Sequence, residues 1–352
     1  MKIITVLGAR PQFIKAAAVS HKLREKHEEK IIHTGQHYDD NMSKVFFDEL
    51  QIPMPDYNLS VGSGNHGFQT GQMLIKIEEV IEREKPDCML VYGDTNSTIA
   101  GALAASKLLI PVAHIEAGLR SFNMAMPEEQ NRILADHIST FLFTPTDTAT
   151  HNLKNEGIIK GVHNTGDVMF DATLFFSELA RGKGEVLTKL GLEAEDYILT
   201  TIHRAENTNS IERLRNIIGA LNECGRKVVI PLHPRTKKFI ENYNLKFSDN
   251  IKIIEPIGYL DMILLEKSSY KIVTDSGGIQ KEAYFMGKPC ITMRDETEWV
   301  ETVNSGWNVI VGADKDKILQ GIQSFMPVSL RHNYFGDGNA AEKIVNILDT
   351  AI

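Results

Sequence analysis

The chain has 352 residues, 42% of them apolar and 24% charged, with a formal net charge of −8. Single hydrophobic cores stop growing at roughly 250–300 residues, so this length predicts two domains, and no compositional bias marks a disordered tract. The acidic balance, without a cluster of Lys and Arg, excludes the electrostatic footprint of nucleic-acid binding, and the longest apolar stretch, Ile99 to Ile115, is broken by Ser106, Lys107 and Pro111, short of the roughly 20 residues of a membrane span.

Lys2 to Leu7 is a β-rich run ended by Gly8 and too short for a signal peptide, and Phe13 to Glu25 carries apolar residues at helical spacing. Glu29 to Thr34 reads as a strand, Asp87 to Tyr92 as a strand before a helix from Thr95 to Leu108, and Val112 to Ile115 as a strand before another loop. After Gly166 a second series begins: strand Tyr197 to Ile202, helix Ile211 to Cys224, strands Lys227 to Leu232 and Ile251 to Ile254, helix Tyr259 to Lys267, and strand Lys271 to Thr274. Strands alternating with helices predict parallel βαβ units in both halves. Gly157 to Asp171 and Arg181 to Glu185 are the boundary candidates. The expected domains are 1–170, carrying the acids, and 171–335, carrying a nucleotide loop, with 336–352 as a helical tail packing back on the first. Cys88, Cys224 and Cys290 show no CxxC spacing and read as small core residues in a reducing, cytoplasmic compartment.

In open parallel sheets, ligands sit outside the carboxyl ends of the strands. Those ends carry Arg10, Asp94, Glu116, His203 with Arg204, His233 with Arg235, and Asp275 to Gly278, which converge on one cleft if the two domains face each other. Thr274-Asp275-Ser276-Gly277-Gly278 before the helix Ile279 to Met286 is a glycine loop at a helix start, where backbone amides and the helix dipole suit a phosphate. It is not a Walker A loop, since no Gly-Lys-Ser/Thr follows, and its plainer reading is an N-cap with two turn glycines. Glu282, one turn on, is placed for a ribose hydroxyl or is a plain surface acid. Arg10 and Lys15, in Gly8-Ala9-Arg10-Pro11-Gln12-Phe13-Ile14-Lys15, suit diphosphate oxygens, the guanidinium bidentately and the ammonium as a point charge.

The carboxylates are more specific. Asp94, in Tyr92-Gly93-Asp94-Thr95, is either a helix N-cap or a proton-handling acid. Glu116 follows an apolar strand, where an unpaired charge is costly. Glu128 and Glu129 follow Pro127, and a first-turn helix acid is the plain reading of one of them. Three acids at one cleft suggest proton chemistry. A metal is the rival use of Asp, Glu and His, but these acids sit on separate loops beside basic residues that repel a cation, so no metal is expected. His203 and His233 are the strand-end histidines, each with a structural role as its alternative.

Taken together, Gly8-Ala9-Arg10-Pro11 with Lys15, Gly93-Asp94-Thr95, His114-Ile115-Glu116-Ala117-Gly118-Leu119-Arg120, Pro127-Glu128-Glu129, His203-Arg204 and Asp275-Ser276-Gly277-Gly278 with Glu282 resemble the non-hydrolysing UDP-N-acetylglucosamine 2-epimerase family over nearly the whole chain. The resemblance implies α/β architecture: two Rossmann-like domains with parallel sheets, arranged as in type B glycosyltransferases, with the active site in the interdomain cleft, and a homodimer. It carries the catalytic roles onto Asp94, Glu116, Glu128 and His203, the diphosphate contacts onto Arg10 and Lys15, and the nucleotide loop onto Ser276, Gly277, Gly278 and Glu282. Arg204, His233 and Arg235 join them as candidate substrate contacts. The expected reaction inverts carbon 2 of a UDP-linked 2-acetamido sugar, for surface polysaccharide synthesis, with no cofactor and no nucleic-acid or membrane partner. Thr34 to Asp39, the link Ser121 to Met126 and Thr297 to Glu301 look more like the branch acting on UDP-2,3-diacetamido-2,3-dideoxyglucuronate, whose C6 carboxylate wants a cation such as Arg235 or Arg294. A type B glycosyltransferase, a hydrolysing epimerase and a non-catalytic nucleotide-sugar sensor are the other classes that share the nucleotide loop.

Overall fold

The computed structural model describes residues 1–36, 47–48, 50–182 and 185–351. His37, Tyr38 and Asp39 of the branch-specific motif, and positions 183–184 of one boundary candidate, lie outside the described residues. The chain divides into two compact units, Met1–Phe175 with Asn333–Ile352, and Phe176–His332. The first division falls inside the helix Val168–Arg181.

In the first unit, β1 (Lys2–Leu7), β2 (Glu28–His33), β3 (Tyr57–Asn58), β4 (Cys88–Tyr92), β5 (Val112–Ile115), β6 (Phe141–Thr144) and β7 (Val162–Asn164) form a seven-stranded sheet of order β3-β2-β1-β4-β5-β6-β7. Every pairing is parallel. The central strands β4 and β5 are buried at every position, as expected of a parallel sheet covered on both faces. Helices His66–Glu84 and Asn96–Lys107 pack on one another, and Met73, Ile77, Val80, Ala100 and Ala104 join Ile4, Val6, Met89 and Val91 in one core. Asn96–Lys107 starts on a capping box in which Thr95 Oγ1 accepts the Thr98 amide and Thr98 Oγ1 accepts that of Thr95.

The helix Ala340–Ala351 belongs to this first unit and packs on the helix Arg10–Leu23. Its first amides need partners, and the Asp171 carboxylate accepts those of Ala340 and Ala341 at 3.1 and 2.8 Å.

In the second unit, β8 (Tyr197–Thr201), β9 (Lys227–Pro231), β10 (Ile251–Ile254), β11 (Lys271–Thr274), β12 (Cys290–Thr292) and β13 (Asn308–Ile310) form a six-stranded, wholly parallel sheet of order β10-β9-β8-β11-β12-β13. Both sheets therefore contain the 3-2-1-4-5-6 order of doubly wound dinucleotide folds, and each has a topological switch point, between β1 and β4 in the first and between β8 and β11 in the second. The three cysteines are free and buried, and burial pushes the Cys88 and Cys290 thiols up to about 12. Among the described residues, no helix is long and apolar enough to cross a membrane.

Candidate active site

The switch point of the first unit is braced by one side chain. Gln12 Oε1 accepts the amides of Gly8 and Ala9 at 2.8 and 3.1 Å, while its Nε2 donates to the Tyr92 carbonyl at 2.7 Å, so the loop after β1 is tied to the end of β4. Arg10 opens the helix at that loop, half-buried, and Lys15 lies on its second turn.

β4 and β5 pair through Tyr92 and Ile115, and the chain leaves each with one left-handed residue, Gly93 at φ 63° and Glu116 at φ 67°. The Gly93 amide donates to the Ile115 carbonyl at 3.0 Å. Glu116 is 5% exposed, and its Oε2 is ion-paired with the Lys15 ammonium. Asp94, the next residue past β4, keeps 29% of its side chain in solvent and is ion-paired through Oδ2 with Arg132. Both expected proton-handling acids thus stand just beyond neighbouring strand ends, each with a basic partner.

Arg132 escaped the sequence reading. It lies on the helix Pro127–Ile138, donates from Nη1 to Glu129 Oε2 at 2.8 Å and from Nη2 to Asp94, and so joins two carboxylates. Glu129 is fully buried and also accepts the amides of Ser121 and Phe122, at 2.9 and 2.8 Å, whereas Glu128, one position before it, is exposed. The available signal was Arg132 at i+3 from one acid and i+4 from the other, a spacing that on a helix brings side chains together.

In the second unit, Asp275 is the hub. Fully buried beyond β11, its carboxylate accepts the backbone amides of His203 and Arg204 at 3.1 and 3.0 Å and Asn207 Nδ2 at 3.1 Å. His203 Nδ1 lies 3.2 Å from its Oδ1. Partial desolvation lowers the His203 pKa against the pull of Asp275, with the charges of Arg204 and His233 adding to the lowering. The ring itself is half exposed, its far edge available to a ligand.

Ser276 caps the helix Gly277–Met286, its Oγ accepting the Ile279 amide at 3.4 Å. A Cβ on Gly277 would come within 2.6 Å of Glu298 Oε1, so a larger residue there would have to push that carboxylate aside. Glu298 is held in turn by Arg294 at 2.8 Å, which therefore spends one guanidinium nitrogen inside the protein. A Cβ on Gly278 would make only an ordinary contact, 3.9 Å from Ser276 Oγ. Glu282 is buried and accepts from the Tyr259 hydroxyl at 2.7 Å; it is not a surface acid. His233 and Arg235 are exposed at the start of the helix Pro234–Asn242, the His233 ring nitrogen accepting the Arg235 amide at 3.2 Å. β8 lies between β9 and β11, so the second unit gathers His203, Arg204, His233, Arg235 and the Ser276 loop at three adjacent strand ends. Among the described residues no group of three or more His, Cys, Asp or Glu is arranged to hold a metal ion.

A family model described as UDP-N-acetylglucosamine 2-epimerase matches residues 21–349. The chain is 60% identical to a UDP-N-acetylglucosamine 2-epimerase homolog of Methanococcus maripaludis and 53% identical to the UDP-2,3-diacetamido-2,3-dideoxy-D-glucuronate 2-epimerase of Pseudomonas aeruginosa, in both cases over 99% of each chain. The crystal structure of Methanocaldococcus jannaschii UDP-GlcNAc 2-epimerase in complex with UDP-GlcNAc and UDP is similar to it at a TM-score of 0.89, with 47% identity and 99% of each chain covered.

Proposed function

The chain belongs to the UDP-N-acetylglucosamine 2-epimerase family, and from that premise we propose that it inverts carbon 2 of a UDP-linked 2-acetamido sugar by eliminating UDP and adding it back. Carbon 2 has no adjacent carbonyl, so its hydrogen is not acidic. In an α-gluco sugar that hydrogen and the axial diphosphate at carbon 1 are trans-diaxial. A carboxylate removes the proton, the C2–H pair becomes the C1=C2 double bond, and the C1–O pair leaves with UDP. A second carboxyl then returns a proton to the opposite face while a diphosphate oxygen rebonds carbon 1.

One carboxyl cannot serve both faces, so at least two are required. The observation that carries the reading is the placement of Asp94 and Glu116 beyond neighbouring strand ends, each held by a basic side chain. They are the proton-transfer pair of this proposal, with Glu128 positioning the sugar or sharing the second role. The leaving diphosphate takes its compensating charge from Arg10, Lys15, His203 and the start of the helix Gly277–Met286, where charge develops in the transition state. Arg204, His233 and Arg235 are its further substrate contacts, and Glu282, steadied by Tyr259, takes the ribose hydroxyls. The same reading makes the protein a cytoplasmic homodimer that uses no added cofactor.

The test is incubation with UDP-N-acetylglucosamine, and separately with UDP-2,3-diacetamido-2,3-dideoxyglucuronate, in heavy water, following carbon 2 by NMR. Epimerisation brings deuterium to carbon 2 with UDP retained in the product, and the sugar that exchanges identifies the branch. Transfer without deuterium incorporation, or release of free sugar, overturns the reading in favour of a transferase or a hydrolysing enzyme.

A further inference from the structure

The third residue of β5, His114, has no solvent exposure, and both of its ring nitrogens are engaged. Nε2 lies 2.7 Å from the Gly93 carbonyl oxygen, and Nδ1 lies 2.7 Å from Oδ1 of Asp136 on the helix Pro127–Ile138. A carbonyl only accepts, so Nε2 carries a hydrogen. Asp136 accepts the Gly118 amide at 3.1 Å and Arg120 Nη1 at 2.7 Å through its other oxygen, which suits an ionised carboxylate and leaves Nδ1 as a donor too. The ring is then an imidazolium. Burial opposes that charge, but the hydrogen bond and charge of Asp136, with the Gly93 carbonyl and Asp94, hold the His114 pKa above its ordinary value. Burial likewise opposes ionisation of Asp136, and His114 and Arg120 override it, keeping that carboxyl below the usual range.

The charged groups facing the ring come from every side: Asp136 from the helix, Asp94 from beyond β4, and Arg120 through Asp136 from the loop after β5. Arg120 closes the network on Glu156, at 2.6 and 2.8 Å. The strand neighbours of His114 are Val91 on β4 and Leu142 on β6, both uncharged. Two cations and two anions therefore form a neutral chain, in which His114, Arg120 and Asp136 are buried and Glu156 lies at the surface. Besides the Leu119 carbonyl, which accepts from Arg120, its backbone contacts include the carbonyl of Gly93, immediately before Asp94, and the amide of Gly118, two residues after Glu116.

We propose that His114, as an imidazolium clamped to Asp136, is a positioning residue that fixes the turns carrying Asp94 and Glu116 and so sets the geometry of the proton-transfer pair. It reaches neither solvent nor substrate; it acts through the Gly93 and Gly118 backbone. The proposal rests on the reading of those two acids as proton-handling groups.

The experiment joins 15N NMR of the histidine rings in the full chain with kinetics of H114Q and D136N. The native ring is expected to keep both nitrogens protonated at a pH where an ordinary histidine, of pKa about 6.5, has lost its proton. H114Q and D136N are expected to lose about 100-fold in kcat for deuterium exchange at carbon 2, as a misplaced catalytic group does, with KM and UDP affinity nearly unchanged. A neutral native ring, or a folded H114Q that keeps its kcat, overturns the proposal. If H114Q does not fold, D136N decides it, because it conserves side-chain shape while removing the charge and one of the two accepting oxygens. D94N and E116Q, run alongside, separate the two ideas: activity in both would overturn the acid assignment itself, whatever the ring's protonation.

Discussion

A Cβ built on Gly93 stands 3.3 Å from Oε2 of Glu116, and both residues occupy left-handed backbone. Glycine adopts that conformation freely, whereas for Glu116 it stores roughly 1–2 kcal/mol of strain that the surrounding structure must hold in place. Gly93→Ala adds a penalty of that size at its own φ and presses a methyl toward the Glu116 carboxylate. The expected outcome is a loss of about 1–2 kcal/mol in urea unfolding, together with a drop in kcat larger than stability alone explains.

Asp94→Asn removes the carboxylate and conserves its shape. Turnover is expected to fall by about 100- to 10,000-fold, the range for losing a positioned acid or base, while calorimetry still detects UDP binding. Full activity in this variant removes Asp94 from the mechanism.

Arg132 joins Asp94 to the buried Glu129. In Arg132→Met, Glu129 keeps its amide donors from Ser121 and Phe122 but loses its countercharge. Breaking a buried pair from one side costs about 3–5 kcal/mol, and the melting temperature should report it. Arg132→Lys retains the charge but not the fork, so it should recover most of the stability and less of the activity. Equal recovery of both would mean that Arg132 serves Glu129 alone.

Glu266 has no exposure, and neither carboxylate oxygen has a hydrogen-bond partner among the described residues. Burial, with the charge of Glu282 adding to it, raises its pKa well above the usual carboxylate value. The folded state therefore keeps a proton that the unfolded chain releases at about pH 4.3. This stabilising contribution is complete below that pH and is lost as pH rises toward the folded value, by up to about 1.4 kcal/mol per pH unit. Glu266→Gln should match the wild type in acid and exceed its melting temperature at neutral pH, giving a flatter profile in scanning calorimetry. Parallel profiles would mean that Glu266 is ionised when folded.

Much of this architecture was legible because β1, β4, β5, β8 and β11 are short apolar runs, each stopped by a polar turn. Burial on both sheet faces dictates such runs, and a ligand site at their carboxyl ends explains the abrupt change. The helix His66–Glu84 went unread, since Gly67 and Gly71 in its first turns argue locally against a helix and packing on Asn96–Lys107 overrides them. Within the site, Asp94 and Glu116 could be named from strand-end position, and Lys15 from the first turns of the helix that follows β1. Arg132 could not, because its partner Asp94 is 38 residues away in sequence and only the fold brings them together. Residue type and position alone did not separate Glu128, which the family resemblance singled out, from Glu129; the rotation of one helical step turns Glu129 inward and leaves Glu128 outside.

The carboxylate of Asp171 waits for amides that follow it by some 170 positions, with all of Phe176–His332 in between. At roughly 5–20 residues per second, a ribosome takes on the order of 10–30 s to cross that gap. Throughout it, the face of Arg10–Leu23 destined for Ala340–Ala351 stays bare on the nascent chain. The sheet of the first unit is encoded whole by residue 164, but the packing of its first helix is completed only after the unit encoded in the middle has been synthesised, so the unit begun first is also the last to be finished.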